Sequence, residues 1–81
     1  MTIAEFENRV KKIRMIDSPY LTPAQVAPVL GWNPQCVRIK AREEPNTIPF
    51  PVMARGNRVS FPKVDVLRWS QKYLEELREA S

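Results

Sequence analysis

The sequence predicts a small, mainly helical domain that carries one β-hairpin. Three observations favour this fold class. Apolar residues recur at helical spacing at both ends of the chain, two cap-plus-proline signals stand close together between them, and a glycine-asparagine pair joins two short β-branched runs. At 81 residues, the chain can form one compact unit with a thin core, and it is too short for a deep catalytic cavity.

The first predicted element is an amphipathic helix over residues 2–16. Charged residues separate its apolar positions, and Pro19 follows in a segment that disfavours helix. We expect this helix to complete the core of its own chain or to pair with a second copy. The apolar positions are Ile3, Phe6, Val10 and Ile13.

Two further helices are predicted with almost nothing between them. Thr22 followed by Pro23 is typical of a helix start, and Asn33 followed by Pro34 repeats that signal. Gly31 can adopt the left-handed conformation that ends the earlier helix. Because the connection is too short for an antiparallel hairpin, the two helices are expected to cross steeply, as in a helix-turn-helix.

The second helix of this pair has two distinct faces. At 100° per residue, Val37 and Ala41 lie together on one side and are expected to pack inward. The polar connection that follows ends this helix by Pro45. The outward positions are Gln35, Arg38, Ile39 and Arg42.

A two-stranded hairpin is predicted from "PFPVMA" and "RVSFP", which "RGN" connects. Gly56 and Asn57 offer positive φ for a tight turn, and Pro49 and Pro51 confine the first strand to an edge. The side chains at the hairpin tip are Arg55, Asn57 and Arg58.

A closing helix is predicted after Pro62. Its apolar positions recur every three or four residues and complete the core, and Trp32 and Trp69 are expected to belong to that core. The chain is thus divided into an N-terminal helix, residues 1–17, and a main domain, residues 18–81. The apolar positions of the closing helix are Val66, Trp69, Tyr73 and Leu77.

The formal net charge is +4, and its distribution is uneven. Residues 34–63 contain six basic and two acidic residues, whereas the seven bases and seven acids elsewhere cancel. The excess positive charge therefore lies in the middle third, where it favours a polyanionic partner or forms a solvated basic face.

The composition disfavours an enzyme. There is no His and the single cysteine is Cys36, so the commonest general base and the Cys/His metal clusters are excluded. We expect no cofactor, no metal, no catalytic residue and a half-buried, inert Cys36 thiol. The charged N-terminal segment is neither a signal peptide nor a membrane span, which predicts a cytoplasmic protein with no membrane partner.

The order of helix, tight turn, outward helix, basic hairpin and closing helix is that of a winged helix-turn-helix. In "LTPAQVAPVLGWNPQCVR", "MARGNRVSFP" and "VDVLRW", the chain resembles the excisionase-like, MerR-type winged-helix DNA-binding proteins of phages and integrative elements. The resemblance covers residues 20–73. It implies that the second helix enters the major groove and that the wing lies against the neighbouring minor groove or its phosphates.

The resemblance also implies a function and a set of DNA-binding residues. The expected function is that of a recombination directionality factor or a small DNA-architectural protein, with double-stranded DNA and an integrase or recombinase as partners and with homodimers or cooperative assembly on DNA. A MerR-like transcriptional regulator of a mobile element is the alternative. The expected contacts are Gln35, Arg38 and Arg42 in the groove and Arg55, Asn57 and Arg58 at the wing tip.

Side-chain chemistry supports the same residues independently of the resemblance. Arginine donates two hydrogen bonds to a guanine edge, glutamine pairs likewise with adenine, and Ile39 offers an apolar contact to a thymine methyl. The competing interpretation is a protein-interaction module without DNA binding, in which these residues form an ordinary helix surface that meets another protein.

Overall fold

The computed structural model describes residues 1–80 and is mainly helical, with a small antiparallel sheet. The predicted class, mainly helical with a small β-hairpin, is therefore confirmed. None of the helices in this range is long and apolar enough to cross a membrane. The elements in chain order are α1 (Ile3–Arg14), β1 (Tyr20–Leu21), α2 (Pro23–Leu30), α3 (Pro34–Glu43), a 3₁₀ turn (Pro45–Thr47), β2 (Met53–Arg55), β3 (Arg58–Pro62) and α4 (Lys63–Ala80).

Helix α1 forms as its periodicity predicts and packs on the chain's own core. The Thr2 hydroxyl caps it by accepting a hydrogen bond from the Glu5 amide at 3.1 Å. Phe6, Val10 and Ile13 are buried and belong to the same hydrophobic cluster as the buried residues of the other elements. The apolar stripe of α1 is thus covered within one chain, the first of the two predicted alternatives.

The sheet has one strand more than predicted. Strand β3 lies at its centre, with β2 antiparallel on one side and the two-residue β1 antiparallel on the other. In the added pair Leu21 lies opposite Phe61, and both side chains are fully buried. Two residues are too few to show the period-two alternation of a strand, so this pairing depends on the tertiary fold. Strand β2 lies at the edge as predicted, but it begins only at Met53, so Pro49 and Pro51 precede it.

Aromatic rings connect the helices to the base of the hairpin. Phe6 of α1 meets Trp69 and Tyr73 of α4 edge-on, with ring centroids 6.3 and 5.1 Å apart. Trp69 in turn meets Phe50 at 5.6 Å, and Phe50 meets Phe61 of β3 at 5.5 Å, both again edge to face. These edge-to-face geometries are favourable, and the contacts connect β3 to α4 and α1.

The buried face of α4 differs in detail from the prediction. Its buried line is Val66, Ser70 and Leu74, and the Ser70 hydroxyl is satisfied because it donates to the Val66 carbonyl at 2.7 Å. Since α4 packs against both α1 and β3, its buried face is wider than one stripe. Apart from Val66, the predicted apolar positions flank this line and are partly exposed: Trp69, Tyr73 and Leu77.

Candidate nucleic-acid interface

The turn between α2 and α3 fixes the direction in which α3 is presented. Gly31 ends α2 with φ of 70°, a left-handed conformation that glycine adopts without strain. Asn33 then caps α3, its side-chain oxygen accepting from the Gln35 amide at 2.8 Å, and Pro34 occupies the first turn. Thr22 and Gln25 form a reciprocal capping box at the start of α2. Both predicted helix starts are confirmed.

Helix α3 buries one face and exposes the other. Val37 and Ala41 are buried, as predicted, and the four predicted outward residues are exposed. Those four divide between two flanks of the helix. Arg38 and Arg42 face the hairpin, whereas Gln35 and Ile39 lie on the flank that also contains Cys36, a half-buried thiol.

The hairpin places its polar tip in solvent beside α3. Arg55 lies opposite Arg58 in the β2–β3 pair, and Gly56 and Asn57 form the turn between them. Positive φ occurs only at Gly56 (55°) in this turn, as in a type II′ hairpin. The three predicted tip residues are all exposed.

Five of the seven predicted contact residues line one concavity of about 650 Å³ between α3 and the hairpin. We call it the arginine concavity and define it by Arg38, Arg42, Arg55, Asn57 and Arg58. No acidic residue lines it. The remaining lining residues come from the start of α2 and from the sheet, and they were not predicted: Tyr20, Leu21, Thr22, Pro23, Met53, Val59 and Ser60.

Hydrogen bonds in the concavity leave its positive charge uncompensated. Arg42 donates from Nη2 to the backbone carbonyl of Asn57, and Arg38 donates from Nη1 to the Gln35 side-chain oxygen at 3.4 Å. Within residues 1–80, none of the four arginines of the concavity forms an ion pair. Four like charges therefore face one space with only neutral partners, which raises the positive potential there.

The other two basic residues of the middle third have different roles. Lys40 lies 3.9 Å from a Glu44 carboxylate oxygen and over the Trp32 ring at 5.3 Å from its centroid. Lys63 donates from Nζ to the carbonyls of Arg14 and Ile16, at 3.1 and 2.5 Å. In the described part of the chain, the exposed basic side chains of the middle third that form no ion pair are thus the four arginines.

The side chains that surround the concavity can bind anions and flat polar surfaces. A guanidinium offers five N–H donors in a planar fork that matches a phosphate or a guanine edge. Thr22 and Ser60 add hydroxyls, and Tyr20, which is 48% exposed, adds an aromatic face. Tyr20 is placed here by the β1–β3 pairing, which was not predicted, whereas Ser60 lies in the hairpin opposite Met53 and Thr22 is the N-cap of α2.

Comparison with known proteins identifies no relative: no protein-family model matches the chain, and neither a curated protein nor a solved structure is significantly similar to it.

Proposed function

We propose that this protein binds double-stranded DNA sequence-specifically and is not an enzyme. In this proposal α2 and α3 form the helix-turn-helix and the β2–β3 hairpin is the wing. The observation that carries it is the arginine concavity, in which four arginines from α3 and the hairpin line one space that contains no acidic residue.

Four arginines without acidic partners should bind a polyanion better than they bind most protein surfaces. Like charges held close together repel one another and lower the stability of the folded state, so an anionic ligand that neutralises them gains affinity. The concavity is also open to solvent at residues from two elements, which suits an extended backbone of phosphates. A duplex offers phosphates at regular spacing on both sides of a groove.

The exposed face of α3 suits a major groove. An α-helix fits that groove, where each base pair presents a distinct pattern of donors and acceptors. Arg38 then reads a guanine edge or contacts a phosphate, Gln35 reads an adenine edge, and Ile39, 47% exposed, meets a thymine methyl. The tip residues Arg55 and Arg58 contact phosphates or a narrow minor groove.

The resemblance to excisionase-like proteins supports a role beside an attachment site. We propose a cytoplasmic recombination directionality factor that occupies DNA and acts with an integrase or recombinase. A regulator of transcription would use the same surface. Measuring DNA bending by gel mobility, with the bound site at different positions along the fragment, tests the architectural part of the proposal.

Selection of duplexes from a random library tests sequence-specific binding. We expect the retained duplexes to share a common sequence, and a scrambled duplex of equal composition to bind about a thousandfold or more weakly. If the retained duplexes share no common sequence, the protein binds DNA non-specifically. If no duplex is retained even at about 50 mM salt, where phosphate contacts are strong, the proposed DNA binding is wrong and a protein-interaction module is the better interpretation.

A further inference from the structure

Arg42 connects the two elements that form the arginine concavity. It lies in the last turn of α3, and its Nη2 donates to the carbonyl of Asn57 in the hairpin turn. The two residues are 15 positions apart in the sequence. A charge-assisted hydrogen bond of this kind is stronger than one between neutral groups.

The hairpin tip has little other support. All three residues of β2 are exposed, and so are Gly56, Asn57 and Arg58. Strand β2 is at the edge of the sheet and pairs only with β3. Within residues 1–80, the bond from Arg42 is the one side-chain hydrogen bond that reaches this turn from outside the hairpin.

Arg38 provides a contrast on the same helix. It is also exposed and also lines the concavity, one helical turn before Arg42. Its side-chain bond, however, goes to Gln35 within α3 and does not cross to the hairpin. The two arginines therefore lie on the same helix and line the same concavity, but only Arg42 bonds to the hairpin.

We propose that Arg42 is a positioning residue, which holds the hairpin at a fixed separation from α3 so that Arg55 and Arg58 face the ligand together with Arg38. The DNA-binding part of this inference rests on the proposed function. The effect on the hairpin does not, because the bond from Arg42 to Asn57 lies within the chain itself.

Amide hydrogen exchange of the free protein measures the effect on the hairpin. Replacing Arg42 by Ala should make the amides of β2 and the turn exchange about tenfold faster, while those of α1 and α4 stay unchanged. Arg38→Ala is the matched control and should change none of them. Unchanged exchange at the hairpin in Arg42→Ala, or equal acceleration throughout the chain, overturns the inference.

A double-mutant cycle measures the effect on DNA binding. If Arg42 acts through the hairpin, Arg42→Ala should lower affinity about tenfold in the otherwise unchanged protein but only about twofold once Arg55 and Arg58 are Ala. A residue that contacts DNA independently gives the same factor in both backgrounds, and that result assigns Arg42 to direct contact. Arg38→Ala should behave in this additive way.

The two experiments separate the inference from the function on which it rests. If the unaltered protein binds no DNA, the proposed function fails, and the exchange measurement still decides whether Arg42 holds the hairpin. If the protein binds DNA and the cycle is additive with unchanged exchange, the proposed function stands and the positioning role of Arg42 is wrong.

Discussion

The α1–α4 side of the molecule and the α3–hairpin side use charged residues in opposite ways. On the first side, basic and acidic residues occur together and some of them pair: Arg78 lies 3.0 Å from Glu7, and Arg9 lies 4.0 Å from Glu5. On the second side, the arginines of the concavity have no acidic partner within residues 1–80. The seven basic and seven acidic residues outside residues 34–63 cancel, so the first side has little net charge. The excess positive charge therefore lies on the second side.

Burial separates the hairpin tip from the rest of the molecule. Helix α1 buries Phe6, Val10 and Ile13, and α3 buries Val37 and Ala41, whereas the hairpin tip has six consecutive exposed residues, 53–58. The tip therefore adds exposed side chains and little of the core. Substitutions in the core and at the tip should then affect different measurements.

The largest expected effect is on stability, from truncating the core of the α1–α4 side. Phe6 is 1% exposed and contacts two aromatic rings of α4, so Phe6→Ala should lower the free energy of unfolding by about 3–5 kcal/mol. Urea denaturation measures it. The matched substitution at the hairpin, Arg58→Ala, should change stability by less than about 0.5 kcal/mol. A similar loss of stability from Phe6→Ala and Arg58→Ala would contradict this difference between the core and the hairpin.

The next effect is on specificity, from the α3–hairpin side. If Arg38 reads a base, Arg38→Ala should cost about 1–3 kcal/mol on the selected DNA site and much less on random DNA. Fluorescence anisotropy on both duplexes measures the difference. An equal loss on both duplexes would make Arg38 a phosphate contact, and no loss on either would place it outside the interface.

A smaller effect is expected at Lys63, a base of the middle third that serves the fold. Its ammonium group donates to two carbonyls at the C-terminal end of α1, where a cation also complements the helix dipole. Lys63→Met keeps most of the aliphatic stem and should cost about 1–2 kcal/mol of stability, with unchanged DNA affinity. Lower DNA affinity at unchanged stability would instead assign Lys63 to the binding surface.

The sequence alone predicts those parts of the fold that depend on near neighbours. Thr22, Gly31 and Asn33 act on amides and carbonyls within a few residues, so their types and order suffice to locate α2, α3 and the turn between them. The apolar spacing of α1 is likewise a local pattern, and it predicts the buried residues Phe6, Val10 and Ile13, although Ile3, also predicted, is only partly buried.

The missed features depend on residues far apart in the chain. Strand β1 exists because Leu21 pairs with Phe61, and Lys63 reaches carbonyls 47 and 49 positions away. The sequence could predict that Arg42 is exposed, but not that its guanidinium contacts Asn57, since that requires the separation between α3 and the hairpin. Net charge alone likewise could not distinguish the roles of Lys40 and Lys63 from those of the arginines.

The salt dependence of DNA affinity tests the central claim, that DNA binds at the arginine concavity, most directly. Each phosphate contact adds about 0.9 to the slope of log affinity against log salt concentration. The variant with Arg55→Ala and Arg58→Ala should therefore have a slope flatter by about 2. The control carries Lys11→Ala and Lys12→Ala, which remove the same charge from exposed positions of α1. Its slope should equal that of the unaltered protein. A flatter slope for the lysine variant and an unchanged slope for the arginine variant would contradict the claim and place DNA on the α1 surface.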